Sequence, residues 1–317
     1  MSTIQEKADI IIPTYKPDET VVMLVKRLLK QSYPIHEIHL INTETGVFPE
    51  ELYCLEKVRV THIPKAEFNH GGTRHFGAES SGADFLVYMT QDAMPVDGQL
   101  IEKLLQPFED EEIAVAYGRQ IPTADCRFVE RYTRSFNYPE KGFVKSAADL
   151  GRLGIKTYFC SDVCAAYRKS VYEDLGGFER RVIFNEDMIM AARVIRSGYR
   201  IAYAAEARVI HSHNYGWLQQ FQRNFDLAVS QSNYPEIFET VKSETEGIRL
   251  VKDTAKYLVK KGRPWLIPSL LVTSGFKYLG YKCGRNYRKL PLWLIRRCTM
   301  NPGYWDQLDQ LECVKED

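Results

Sequence analysis

The chain has 317 residues, 44% of them hydrophobic, enough for one large or two medium domains with a real core. No run reaches the ~18 uncharged apolar residues of a membrane span, no basic stretch leads into an apolar run at the N-terminus, and seven scattered cysteines give no zinc spacing, so free thiols in a reducing cytosol are expected. The net charge of +1 hides an asymmetry: thirteen Lys or Arg against Asp253 alone between 249 and 300, five acids and one Lys after 300, and about −7 left for residues 1–248.

The apolar run at 8–13 ends on Pro13 and reads as a buried strand. Residues 14–18 form a loop, with Asp18 placed to cap a helix whose apolar positions run from Val21 to Leu29. Strands are predicted over 36–42, 58–63, 84–90 and 113–118, and helices over 72–81 and 100–108. The stretch 119–157 is charged and aromatic and reads as an exposed, partly helical excursion. A strand over 159–168, a helix over 186–197 stopped by Gly198, two short strands over 199–204 and 207–210, and a helix over 215–230 follow. Two or three helices rich in Trp, Tyr and Leu are expected from 247 on. The alternation predicts an α/β fold with a mostly parallel sheet flanked by helices. Residues 1–246 are expected to form the main domain and 247–317 a helical extension.

Ligands in such sheets sit beyond the carboxyl ends of the strands, where Thr14-Tyr15, Asn42-Thr43 and Gln91-Asp92 fall. Asp92 before a proline loop is either a turn residue or a ligand for Mg²⁺ or Mn²⁺, which prefer oxygen donors and keep phosphate and water in their shell. Glu186-Asp187 opens a helix. The pair either complements the helix dipole or supplies one cleft-facing carboxylate that takes a proton. His211 and His213 alternate at a strand end and read either as structural histidines or as a metal ligand with a neighbouring phosphate contact. The glycine-rich entry around Gly71-Gly72 followed by Arg74 is either a tight turn or an anion cradle.

The tail interleaves cations with aromatics, as in Lys260-Lys261-Gly262-Arg263-Pro264-Trp265. A solvated basic face is one reading, and docking on an anionic membrane surface or contact with a second copy are others. No nucleic-acid partner is expected, because no recognisable module accompanies the charge.

Several strings together resemble glycosyltransferase family 2: Ile11-Ile12-Pro13-Thr14-Tyr15, Asn69-His70-Gly71-Gly72-Thr73-Arg74, Thr90-Gln91-Asp92-Ala93, Phe159-Cys160-Ser161-Asp162, Glu186-Asp187-Met188 and His211-Ser212-His213. The likeness spans residues 8 to 230 and is greatest to the bacterial rhamnosyltransferase-like branch that builds O-antigen and other surface polysaccharides. It implies a GT-A fold and an inverting sugar transfer from a nucleotide donor, dTDP-L-rhamnose, to a lipid-linked glycan or oligosaccharide at the inner face of the membrane. By that resemblance Pro13, Thr14 and Tyr15 line the nucleotide pocket, Arg74 approaches the diphosphate, Asp92 and His211 hold Mg or Mn, and Asp187 is the base. Asn42, Gln91, Glu186 and His213 complete the substrate contacts. Thr90 stands where relatives carry the first acid of Asp-x-Asp, and Asn42 where many carry an acid, so a UDP-sugar donor is the alternative. A non-catalytic sugar-nucleotide-binding assembly subunit is the reading from another class.

Overall fold

The computed structural model describes residues 6–239, 244–306 and 308. The acidic C-terminal run from 309 on lies outside the described residues. In chain order come β1 (Ala8–Tyr15), α1 (Glu19–Leu28), β2 (Glu37–Thr43), β3 (Val58–Ile63), α2 (His70–Glu79), β4 (Phe85–Met89), β5 (Met94–Pro95), α3 (Leu100–Leu105) and β6 (Ile113–Ile121). The middle holds α4 (Phe128–Asn137), β7 (Phe143–Lys145), α5 (Leu150–Leu153), β8 (Cys164–Arg168), α6 (Lys169–Asp174), α7 (Glu186–Arg196) and β9 (Arg200–Ile210). Then follow α8 (Trp217–Asn233), α9 (Pro235–Phe238), α10 (Glu244–Lys260), α11 (Ile267–Arg285) and α12 (Leu292–Cys298).

Two compact units result. The first takes residues up to 123, 138–180 and 186–212; the second takes 124–137, 181–185 and residues from 213 on. The first unit is a nine-stranded sheet in the order β3-β2-β1-β4-β8-β6-β9-β5, with β7 added to β9. Strands β1, β2, β3, β4, β6 and β9 run one way, and β5, β7 and β8 run against them. The core is aliphatic. Ile10, Ile12, Leu40 and Val87 of the parallel strands pack with Val21, Leu24 and Leu28 of α1, all buried. The Asp18 side chain caps α1 by accepting from the Thr20 amide at 2.9 Å.

The chain leaves β1 toward β2 on one side and returns from β3 to β4 on the other. The order therefore reverses between β1 and β4, the point at which ligands of such sheets bind beyond the carboxyl ends of the strands. The strand expected over 159–168 begins only at Cys164, because the Ser161 carbonyl takes the Cys164 amide in a turn. The two short strands expected after Gly198 are one continuous β9: a register shift opposite Gly118/Arg119 absorbs the interruption.

In the second unit α8 and α11 pack closely. Trp217 stacks on Phe276, Gly280 lies against Phe221, and Gly284 lies against Phe225. The pairs advance in step, so the helices run in the same direction. A Cβ at Gly280 would lie 2.1 Å from the Phe221 carbonyl oxygen, which no side chain tolerates.

Gly77 plays the same part in the first unit: a Cβ there would stand 2.5 Å from Ile11 Cγ2 in β1. Gly77→Ala should cost about 1–3 kcal/mol through overpacking, despite its better helix propensity. Urea denaturation checks this, and a neutral or stabilising result would mean that α2 slides off the sheet at no cost.

Candidate active site

Four of the expected residues tie the strand ends together. The Thr14 hydroxyl donates to Asn42 Oδ1 at 3.0 Å, joining β1 to β2, and Asn42 is buried. The Asn42 amide nitrogen lies 3.0 Å from His62 Nδ1, which commits the rest of its side chain to the protein. Gln91 bonds the Tyr15 backbone twice, accepting from its N–H at 2.8 Å and donating to its carbonyl at 3.1 Å. This amide bridges β1 and the loop after β4 across the reversal point. Pro13 is half-buried beside Ile41, while the Tyr15 ring is exposed at the mouth.

Arg74 sits inside a group of three carboxylates. Asn69 caps α2 by accepting from the Gly72 amide at 2.6 Å, and Gly72 has no room for a Cβ against the Arg180 carbonyl. One turn later Arg74 is buried, with Nη1 3.0 Å from the His70 carbonyl and 3.1 Å from Glu186 Oε1. Its Nε faces Asp162 Oδ2 at 3.8 Å, and neither atom has a hydrogen-bond partner. Asp162 Oδ1 accepts from the Tyr167 hydroxyl at 2.7 Å. Asp187, next to Glu186 at the start of α7, accepts from its neighbour's Met188 amide at 2.7 Å and from the Asp162 backbone. α7 is entered through Asn185 with φ 67°, a left-handed conformation that asparagine tolerates.

One guanidinium cannot neutralise three ionised carboxylates. Burial, and then the nearby Glu186, pushes the Asp187 carboxyl up to about 7. Burial and then Asp187 hold Asp162 well above the usual carboxylate range. Asp187 therefore exchanges a proton near neutrality, as a general base requires.

The second cluster is built on β6 and the end of β9. The Gln120 amide nitrogen donates to the Tyr138 hydroxyl at 2.6 Å and the Ser161 hydroxyl at 2.9 Å. Its carbonyl is thereby aimed at His211 Nδ1, 2.9 Å away. A proton on Nδ1 leaves Nε2 an acceptor, and Nε2 faces Asp92 Oδ2 at 3.5 Å. Two acceptors this close require a cation between them, either a proton or a metal. Neighbouring ligands around an octahedral Mg²⁺ stand about 3 Å apart, so a small adjustment fits the pair to one.

His211 is buried and Asp92 partly exposed, giving the cluster a protein side and a solvent side. His213 belongs to the second unit, where its ring stacks on Tyr215 at 4.9 Å. Four participants carried no expected role: Asp162, Gln120 and the buried Thr43 and Thr90 hydroxyls, which lack hydrogen-bond partners at the ends of β2 and β4. Asp162 was visible only as part of the string Phe159-Cys160-Ser161-Asp162.

The model described as Glycosyl transferase family 2 matches residues 9–176. The chain belongs to glycosyltransferase family 2. It is 39% identical over 307 residues to the O-antigen chain rhamnosyltransferase RfbN of Salmonella typhimurium, covering 95% of this chain and 97% of that one. It is 44% identical over 248 residues to the O-antigen chain rhamnosyltransferase WbaN of Salmonella anatum, 78% of each chain. The fold is similar to that of the mannosyltransferase PcManGT from Pyrobaculum calidifontis in complex with GDP-Man and Mn²⁺, with a TM-score of 0.54 at 14% identity over 96% of this chain and 88% of that one. S. aureus TarS 1–349 in complex with UDP gives a TM-score of 0.51 at 14% identity over 89% and 91%. This family 2 transferase thus has the GT-A architecture, with both clusters in its sheet-bearing unit.

Two outcomes follow from the clusters. The raised Asp187 means that the folded state keeps a proton the unfolded chain has lost, so stability falls as pH rises from about 4 to about 7. Asp187→Asn should therefore melt higher than the parent at pH 8, the gap closing toward pH 5; a gap independent of pH would contradict the assignment. Gln120→Leu removes the group that orients His211 and should weaken Mn²⁺ binding by about 10–100-fold, as followed by electron paramagnetic resonance titration.

Proposed function

We propose that this family 2 transferase is an inverting rhamnosyltransferase that moves L-rhamnose from dTDP-L-rhamnose to a lipid-linked glycan in surface polysaccharide synthesis. The observation that carries the mechanism is a carboxylate, Asp187, that titrates near neutrality at the start of α7 beside a buried arginine. The rhamnosyl donor is supported by the two Salmonella relatives, both named O-antigen chain rhamnosyltransferases.

In this reading Asp187 takes the proton of an acceptor hydroxyl, and the resulting oxygen nucleophile attacks the anomeric carbon opposite the nucleotide. The bond to the diphosphate breaks in the same displacement, so the configuration inverts and no enzyme nucleophile is needed. Arg74 and Glu186 hold the base in place through the ion pair at 3.1 Å. Asp92 and His211 would hold Mg²⁺ or Mn²⁺, which would supply charge against that developing on the departing diphosphate. His213, two residues on in the chain, is assigned to the same diphosphate. Thr14, Tyr15 and Gln91 frame the nucleotide, and Pro13 and Asn42 support that wall from behind. The acceptor places the protein at the inner face of the cell membrane as a peripheral protein, with the extension from 247 assigned to that surface or to a second copy.

Calorimetric titration with dTDP, UDP and GDP, each with and without Mn²⁺, tests the donor. Metal-dependent binding with dTDP preferred is the expected result. A preference for UDP removes rhamnose from the reading, and no binding to any of the three removes catalysis. Transfer should rise with pH through about 7 as Asp187 loses its proton, and Asp187→Asn should lower kcat by about 10²–10⁴-fold.

A further inference from the structure

The second unit carries two exposed helical faces of complementary character. On α11 the buried positions Leu270, Gly280 and Gly284 face inward, Gly280 and Gly284 against α8. The opposite side presents Pro268, Leu271, Val272, Gly275, Tyr278 and Leu279, all exposed. At 100° per residue these six fall within about a third of the helix circumference. Lys282 ends the stripe, and α11 contains no Asp or Glu.

On α10 the exposed positions Arg249, Lys252, Lys256 and Lys260 repeat at three- and four-residue steps, and Arg263 continues them beyond the helix. Asp253 is the only acid among them, and it lies 3.7 Å from Arg249 and 4.0 Å from Lys256. The turn joining the two helices carries Trp265, 68% exposed. An isolated surface tryptophan needs no explanation. One set between a cationic stripe and an apolar stripe on consecutive helices does.

A bilayer surface with anionic head groups answers both stripes. Cations on α10 meet phosphate, the α11 stripe enters the boundary between head groups and acyl chains, and tryptophan favours the level between them. No helix among the described residues is long and apolar enough to cross a membrane. A second copy of the chain fits less well, because two such faces would bring like charges together.

We propose that the exposed faces of α10 and α11, joined by Trp265, form a docking surface for an anionic phospholipid bilayer. This deepens the reading of a lipid-linked acceptor and gives it a location in the fold. Binding of the bare surface does not require the donor, so it is tested apart from catalysis.

The full chain is co-sedimented with vesicles of phosphatidylcholine alone and with vesicles containing phosphatidylglycerol. The expected result is association with the anionic vesicles only, weakened by salt, with a blue shift in tryptophan emission that Trp265→Phe removes. The double variant Leu271→Glu/Leu279→Glu and the double variant Lys252→Glu/Lys256→Glu should each weaken association at least tenfold while keeping the parent's melting temperature and dTDP affinity. Parent protein that fails to pellet with anionic vesicles overturns the proposal. So does equal binding to neutral vesicles, or a concentration-dependent dimer, seen by sedimentation velocity, that the Leu variants abolish. Should dTDP binding fail while vesicle binding holds, the donor reading falls and the docking surface stands.

Discussion

The chemistry of this site depends on one buried ion pair. Arg74 is held by the β1 packing of Gly77 and by the Asn69 cap, and its guanidinium meets Glu186 at 3.1 Å. Without that positive charge, Asp162, Glu186 and Asp187 would crowd three carboxyl groups into one dry region, and the sheet-bearing unit would have to protonate or open to relieve them. With it the charge is still insufficient, and burial, then the neighbouring Glu186, pushes the Asp187 carboxyl up to about 7. The arrangement costs stability and leaves a carboxyl group that holds its proton up to about neutral pH.

The metal-fitting pair is governed by a different kind of constraint, one of direction. Nothing about Asp92 or His211 alone says which imidazole nitrogen carries the proton. The answer comes from two hydroxyls, Tyr138 and Ser161, which take both protons of the Gln120 amide and leave its oxygen for His211. Ser161 precedes Asp162 in the chain, so one short turn before β8 serves both clusters: its hydroxyl fixes the histidine, and its neighbour faces the arginine.

Much of the frame was legible in the sequence because it is local. An apolar run closed by Pro13, a capping Asp18 and a second run ending at Gln91-Asp92 place the strand ends without any long-range information. The partners of Arg74 were not legible in that way. A glycine-rich entry followed by arginine reads equally well as an anion cradle or as a tight turn, and only the fold brings the carboxylates of α7 and of the turn before β8 against it. Asn42 illustrates the same limit. Its position at the end of β2 was readable, but the bonds to Thr14 and His62 that occupy its amide come from neighbouring strands. The continuous β9 escaped the pattern because a bulge opposite Gly118 is set by pairing with β6.

The amide at position 120 also has a genetic consequence. Every glutamine codon is one base from a glutamate codon. Such a change would replace the donor half of the side chain with a second acceptor, and the Tyr138 and Ser161 hydroxyls would turn to donate. The oxygen facing His211 would then carry charge, fix the Nδ1 proton more firmly and make Nε2 a stronger acceptor. The cation between Nε2 and Asp92, whether proton or metal, would then be held more tightly. A single transversion thus tunes how strongly this pair would hold a cation, on an otherwise unaltered backbone.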